Sequence, residues 1–198
     1  MLEFDARLLT NPWEHSVPNE RLYELVYAVA KSRAQHVERM YLDGTGEWPR
    51  ASLGLALMIP DVPSSWVAED AILATIAIGE EGDRFVENAV GKAFYHHDHG
   101  KPAGHGVYVD LAASMDGDFC YGFSTKVDNM IAAASGQTEI QDACEAAHAA
   151  TTFLYFIRRE RGEWKLRQPN PPHWFCDQDE PSSLFTQVAQ RPSIYMTG

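Results

Sequence analysis

Four ionisable residues stand side by side, His96-His97-Asp98-His99, and His105 follows a glycine-containing turn. An imidazole can ligate zinc, copper or iron through a ring nitrogen, and it can act as a general acid or base near neutral pH. On a helix, His96 and His99 are three residues apart and share a side. His97 follows Ala93 and Phe94 at helical spacing, which puts it on the apolar face. Two nitrogens on a helix and a third from the loop at His105 can converge on one ion. His96, Asp98, His99 and His105 are therefore the candidate ligands for a divalent transition metal. Asp98 has the alternative role of orienting an imidazole from behind. The competing reading is structural, since a histidine in the last turn of a helix is favoured by the helix dipole. The spacing is also not that of His-Glu-x-x-His.

Other groups offer less. Cys144 and His148 are four apart on a helix, the spacing of a nucleophile and its base, but no third, orienting group is evident. Cys120 falls within a strand and reads as a buried thiol. Met115-Asp116-Gly117-Asp118 superficially resembles a calcium loop, yet it lacks the ligand count and reads as a turn. Arg158, Arg159, Arg161, Lys165 and Arg167 form the main basic cluster. With Glu160 and Glu163 interleaved, it reads as a solvated face, or alternatively as a seat for carboxylates. The glycine-rich phosphate loop, the dinucleotide fingerprint and the nucleophile elbow are all missing from the sequence.

Several elements must position these groups. Residues 1–18 read as an irregular arm, pinned by Phe4 and Trp13 and broken by Pro12 and Pro18. Leu22, Leu25, Val26, Val29, Ala30, Ala34, Val37 and Tyr41 recur at three- and four-residue steps and predict a helix over 19–41. Ser16 is its candidate cap. Ser52–Ile59 and Ile72–Ile78 read as strands, with a short helix from Ser64 to about Asp70 between them. A second amphipathic helix covers about 84–99 and is stopped by Gly100. Val107–Ser114 and Phe119–Lys126 read as a hairpin around Asp116-Gly117. Met130–Ala134 reads as a further strand, and Thr138 caps a helix over about 138–150. Thr151–Ile157 and Glu163–Arg167 read as a second hairpin, unless the apolar run Phe153–Ile157 extends that helix. The expected fold is α+β: a central antiparallel sheet with helices packed on it, one domain over 1–168. Residues 169–198, rich in proline and with Trp174, Phe175, Leu184 and Phe185, read as an extended tail packed on that domain.

Composition narrows the partners. The 198 residues carry 28 acids against 16 bases, a net charge of −12. Nucleic-acid binding needs lysine and arginine to displace phosphate counterions, so it is disfavoured, as is adhesion to an anionic membrane. Three cysteines, Cys120, Cys144 and Cys176, lie far apart without a Cys-x-x-Cys. Free thiols, an acidic N-terminus and the lack of a long apolar run suggest a cytoplasmic setting.

Two segments carry a resemblance. Ile131-Ala132-Ala133-Ala134-Ser135-Gly136-Gln137-Thr138-Glu139-Ile140-Gln141-Asp142 is similar to the Ser-Gly-x-Thr-x-x-Gln-Asp turn that opens the last helix of the GlcG/HbpS family. Ala89-Val90-Gly91-Lys92-Ala93, with Gly100-Lys101-Pro102 after it, resembles that family's helix with a Lys-Ala pair before a Gly-x-Pro break. The likeness spans about 19–150 with gaps, and 151–198 has no counterpart. It implies a profilin-like sheet and a small planar ligand, haem or another tetrapyrrole first, but no ligand residue of the family falls on a matched position; the candidate ligands, His97, His99 and His105, come from the histidine cluster itself. Phe153–Arg167 resembles instead the closing hairpin of NTF2-like/SnoaL-type cone folds, which hold a pocket in a curved sheet. The sequence supports three functional readings. The first is a small-molecule-binding protein. The second is a metal-assisted or acid–base enzyme using the 96–105 cluster. The third is an assembly subunit, a possible homo-oligomer, docking through its aromatic tail.

Overall fold

The computed structural model describes residues 1–44, 48–63, 65–101 and 123–168. His105, Cys120, Cys176, the Asp116-Gly117 turn with most of its expected hairpin, and the tail 169–198 lie outside the described residues. The chain divides into two compact units, Met1–Gly162 and Glu163–Gly198. The sheet and its helical layers belong to the first. In the second, the end of the last helix closes with Arg167 N–H donating to the Trp164 carbonyl.

The elements are β1 (Phe4–Leu8), α1 (Asn19–Leu42), β2 (Leu53–Met58), a 3₁₀ turn (Ala68–Ala71), β3 (Ile72–Ile78), α2 (Gly82–His99), β4 (Ser124–Val127), β5 (Met130–Ser135) and α3 (Glu139–Leu166). The strands form one antiparallel sheet in the order β1-β3-β2-β5-β4, and three helices pack on it. The expected α+β class is borne out. Every residue of β2 and β3 is buried. That follows from their composition, since an unbroken apolar run suits a strand covered on both faces rather than on one.

Alternation assigns the faces. Leu53, Leu55 and Leu57 of β2 share one core with Ile76, Ile78, Met130, Ala132 and Ala134 and with the apolar stripes of α1 and α3. Ala56, Met58 and Ala133 point the other way, to Ala89 and Ala93 of α2. This second layer is thin because its residues are small. A Cβ on Gly54 would stand 2.2 Å from the Phe85 carbonyl carbon, so α2 rests almost directly on the sheet backbone.

Several expectations change. The N-terminal arm contributes the edge strand β1, paired from Phe4↔Ile78 to Leu8↔Ala74, because both prolines lie beyond it. Trp13 is buried, its ring 6.1 Å from that of Phe153, as the pinning role required. Ser16 does not cap α1: its hydroxyl donates to the Trp13 carbonyl, and Pro18 occupies the N-cap. The short helix between β2 and β3 shrinks to one 3₁₀ turn. In the described part of the expected strand Phe119–Lys126, β4 pairs with β5 across Asp128-Asn129. Both turn residues have positive φ, 44° and 64°, as a two-residue type I′ hairpin requires.

The largest correction is the second hairpin, since residues 151–166 continue α3 as helix. Ala146, Ala149, Ala150, Phe153, Leu154 and Ile157 form one buried stripe at helical spacing, which outweighs the turn signal of Arg161-Gly162. Gly162 costs that helix only about 1 kcal/mol. Arg158, Arg159, Arg161 and Lys165 of the basic cluster are therefore helical, and Arg21 of α1 reaches Glu160 across the antiparallel α1–α3 seam.

Candidate functional site

The last turn of α2 separates the histidines that the sequence places together. His96 is buried toward β4, and its Nδ1 lies 2.8 Å from the Ser124 hydroxyl. Burial, with Lys126 close by, lowers its pKa to about 4. It is therefore a neutral ring at physiological pH, held by the sheet. His99 is exposed; its Nδ1 meets the Tyr95 carbonyl at 3.0 Å and its ring stacks on Tyr95 at 4.0 Å. Gly100 then ends the helix in the left-handed conformation, φ 67°.

His97 is the exception. Its side chain is 3% exposed, its Nδ1 meets the Asp98 carboxylate at 3.0 Å, and its Nε2 is buried with no hydrogen-bond partner among the described residues. A carboxylate only accepts, so Nδ1 carries the proton and Nε2 of the neutral ring carries the lone pair. An imidazole backed by a carboxylate, with the far nitrogen free, is the arrangement by which proteins hold a metal-ligating histidine. A buried acceptor left unmet costs roughly 1–3 kcal/mol, which the fold alone gives no reason to retain.

The four expected metal ligands do not gather in the described part of the molecule. His96 turns to the sheet, His99 to its own helix, Asp98 to His97, and His105 lies outside the described residues. Among the described residues, no three His, Cys, Asp or Glu side chains are placed to hold a metal ion.

Two polar clusters appear that sequence reasoning missed. In the first, Lys92 is 1% exposed and donates to the Ala134 carbonyl at 2.7 Å and to Asp142 Oδ2 at 3.0 Å. Burial pushes the Lys92 ammonium down, against the pull of Asp142. Asp142 Oδ1 accepts from the Gln137 backbone at 2.9 Å, and Gln137 Nε2 donates to the carbonyls of Arg50 and Ser52. Gly136 sits at φ 130°, where a Cβ would come within 2.7 Å of the Ser52 carbonyl oxygen, so this tight turn admits only glycine without strain. The available signal was Lys92 itself, a charge lying on the buried stripe of Ala89, Ala93 and His96.

The second cluster joins α1 to α3. Glu145 is 1% exposed, with Arg33 Nη1 at 3.3 Å, His36 Nε2 at 3.3 Å and His148 Nδ1 at 4.0 Å. Burial raises the Glu145 carboxyl and Arg33 pulls it back; burial, then Arg33, Arg39 and His148, lowers His36. Arg39 donates to His36 Nδ1, so the neutral ring offers its Nε2–H to Glu145. His148, expected to serve Cys144, thus faces Glu145, while Cys144 is exposed as a free thiol.

Among the described residues, no helix is long and apolar enough to cross a membrane. No family model, no curated protein and no solved structure matches this chain.

Proposed function

We propose that this protein binds a small planar metal-bearing ligand, haem or a related tetrapyrrole, at the C-terminal end of α2, with His97 Nε2 as its axial ligand. The observation that carries the reading is the Nε2 of His97, buried and without a partner among the described residues, with Asp98 behind it. A bare divalent ion asks for three or four protein ligands. A tetrapyrrole supplies four equatorial nitrogens of its own, so one well-held imidazole completes a site. A single imidazole held in this way among the described residues therefore favours the tetrapyrrole. Asp98 keeps the ring in the tautomer that presents the lone pair, and it strengthens Nε2 as a donor to the metal. Neutral, hydrogen-bonded His96 fixes the helix end against β4 and leaves the ligating role to its neighbour.

A second observation supports the resemblance that suggested this ligand. The two segments that resemble the GlcG/HbpS family meet in one ion pair, Lys92 with Asp142, at the start of α3. Short motifs of common residues gain weight when their charged members turn out to be partners.

The test is a haemin titration followed by Soret absorbance. Wild type gives a saturable one-to-one change. His97→Ala weakens binding at least about tenfold, or 1.4 kcal/mol, and His99→Ala titrates like wild type. A flat or non-saturable response, or a His97→Ala protein that binds as well as wild type, overturns the proposal.

A further inference from the structure

The basic stretch on α3 borders a cavity that the tetrapyrrole reading does not use. It has a volume of about 420 Å³ and lies between α3 and the β4–β5 turn. Val127 and Leu154 form its floor, Thr151 and Tyr155 its wall, and Arg158 and Arg159 its rim beside Asp128. Leu154 belongs to the main core and Val127 packs against it, so the floor is hydrocarbon fixed by the fold. Arg158, Arg159 and Asp128 are the charged residues that line it among the described residues, in a chain whose net charge is −12. Arg158 meets Asp128 at 2.9 Å, but both side chains are 61% exposed. Such a surface pair is weak, and a second carboxylate can replace it at little cost. A guanidinium recognises a carboxylate with two parallel hydrogen bonds, and the tyrosine ring offers an aromatic face to the ligand body.

We propose that this cavity binds an amphipathic monocarboxylate, with an aromatic or branched hydrocarbon body seated on Val127, Leu154 and Tyr155 and its carboxylate on Arg158 in place of Asp128. The site lies on the α1–α3 face of the sheet, and α2 with His97 covers the other. It stands or falls independently of the tetrapyrrole reading. Asp128 acts as an internal competitor that occupies Arg158 until the ligand arrives.

The experiment is a titration of the full chain with 2-naphthoate, followed by amide chemical shifts, with naphthalene-2-carboxamide as the neutral counterpart. Saturable shifts confined to residues 125–130 and 151–159 are expected. The carboxamide and the Arg158→Gln variant should each bind at least about tenfold more weakly. Asp128→Asn should bind about threefold more tightly, because it removes the competitor, an effect of about 0.6 kcal/mol. Glu87→Gln removes the same charge at an exposed position of α2 and should change little. The proposal is overturned by absent or dispersed shifts, by equal affinity for the carboxamide, or by Asp128→Asn behaving like Glu87→Gln. Arg158 and Asp128 are exposed, so neither variant threatens the fold.

Discussion

Little more than one turn of α2 separates two buried polar groups with opposite accounts. Lys92 is deeply buried, yet its ammonium is met by a carboxylate and a carbonyl, and that carboxylate is met in turn by the Gln137 backbone. The cluster leaves only the Gln137 side-chain oxygen unmet. His97 is as well hidden, but only one of its nitrogens is engaged among the described residues. The first arrangement ties α2, β5 and the start of α3 into one unit, and its charged groups are all accounted for by folding. The second is not, because a leucine would fill the same space without an orphaned acceptor. Arg33 Nε and the Gln137 side-chain oxygen are unmet as well, but each belongs to a residue that other hydrogen bonds tie into the fold, whereas among the described residues His97 is tied only to its neighbour Asp98.

The contrast can be broken most sharply at Lys92. Asp142→Ala leaves an ammonium buried without its counter-charge and should cost about 3–5 kcal/mol in urea unfolding. A loss under about 1 kcal/mol would remove Lys92 from the architectural side. Replacing both partners with apolar residues, Lys92→Met with Asp142→Leu, should recover much of that loss.

His96 gives the next effect, through pH. Its folded pKa of about 4 lies below the ordinary value of 6.5, so the unfolded chain takes up the proton first. Stability is therefore full above about 6.5 and is lost as pH falls toward 4. Wild type should lose about 2 kcal/mol more over that window than His96→Asn. Parallel curves would mean that the ring is not held neutral by its burial. Taking the difference between the two proteins isolates His96 from His36, which shifts in the same direction, and from Glu145, which shifts in the opposite one.

His97→Leu should leave stability within about 1 kcal/mol of wild type, or raise it, while haemin binding is lost. A large destabilisation would make His97 one more architectural group. The smallest effect is expected at exposed His99, where alanine should change stability by less than about 0.5 kcal/mol.

The layered plan was legible because it rests on periodicity. The stripe from Leu22 to Val37 and the unbroken run Ile72–Ile78 each allow one structure. The 151–166 segment was harder because two local signals conflict. Arg161-Gly162 offers a turn, whereas Phe153, Leu154 and Ile157 continue a stripe begun at Ala146, and tertiary burial decides between them. β1 was missed because an edge strand of five residues has little pattern of its own. At the candidate site, the sequence indicated the region but not its division. Four neighbouring residues on a helix point about 100° apart in succession, so His96 meets Ser124 while His97 meets Asp98. Which of them keeps a free nitrogen depends on β4, far away in sequence. Glu145 was invisible for the same reason, since its partners Arg33 and His36 belong to another helix.

The tetrapyrrole site turns on one nitrogen, and a long-range proton–nitrogen NMR spectrum of histidine-labelled protein observes it directly. His97 is expected in the Nδ1–H tautomer, with a bare Nε2 whose resonance shifts when gallium protoporphyrin is added, while the nitrogens of His96 stay in place. A His97 found as the Nε2–H tautomer, or an Nε2 resonance that ignores the porphyrin at saturating concentration, would contradict the proposed role of this nitrogen.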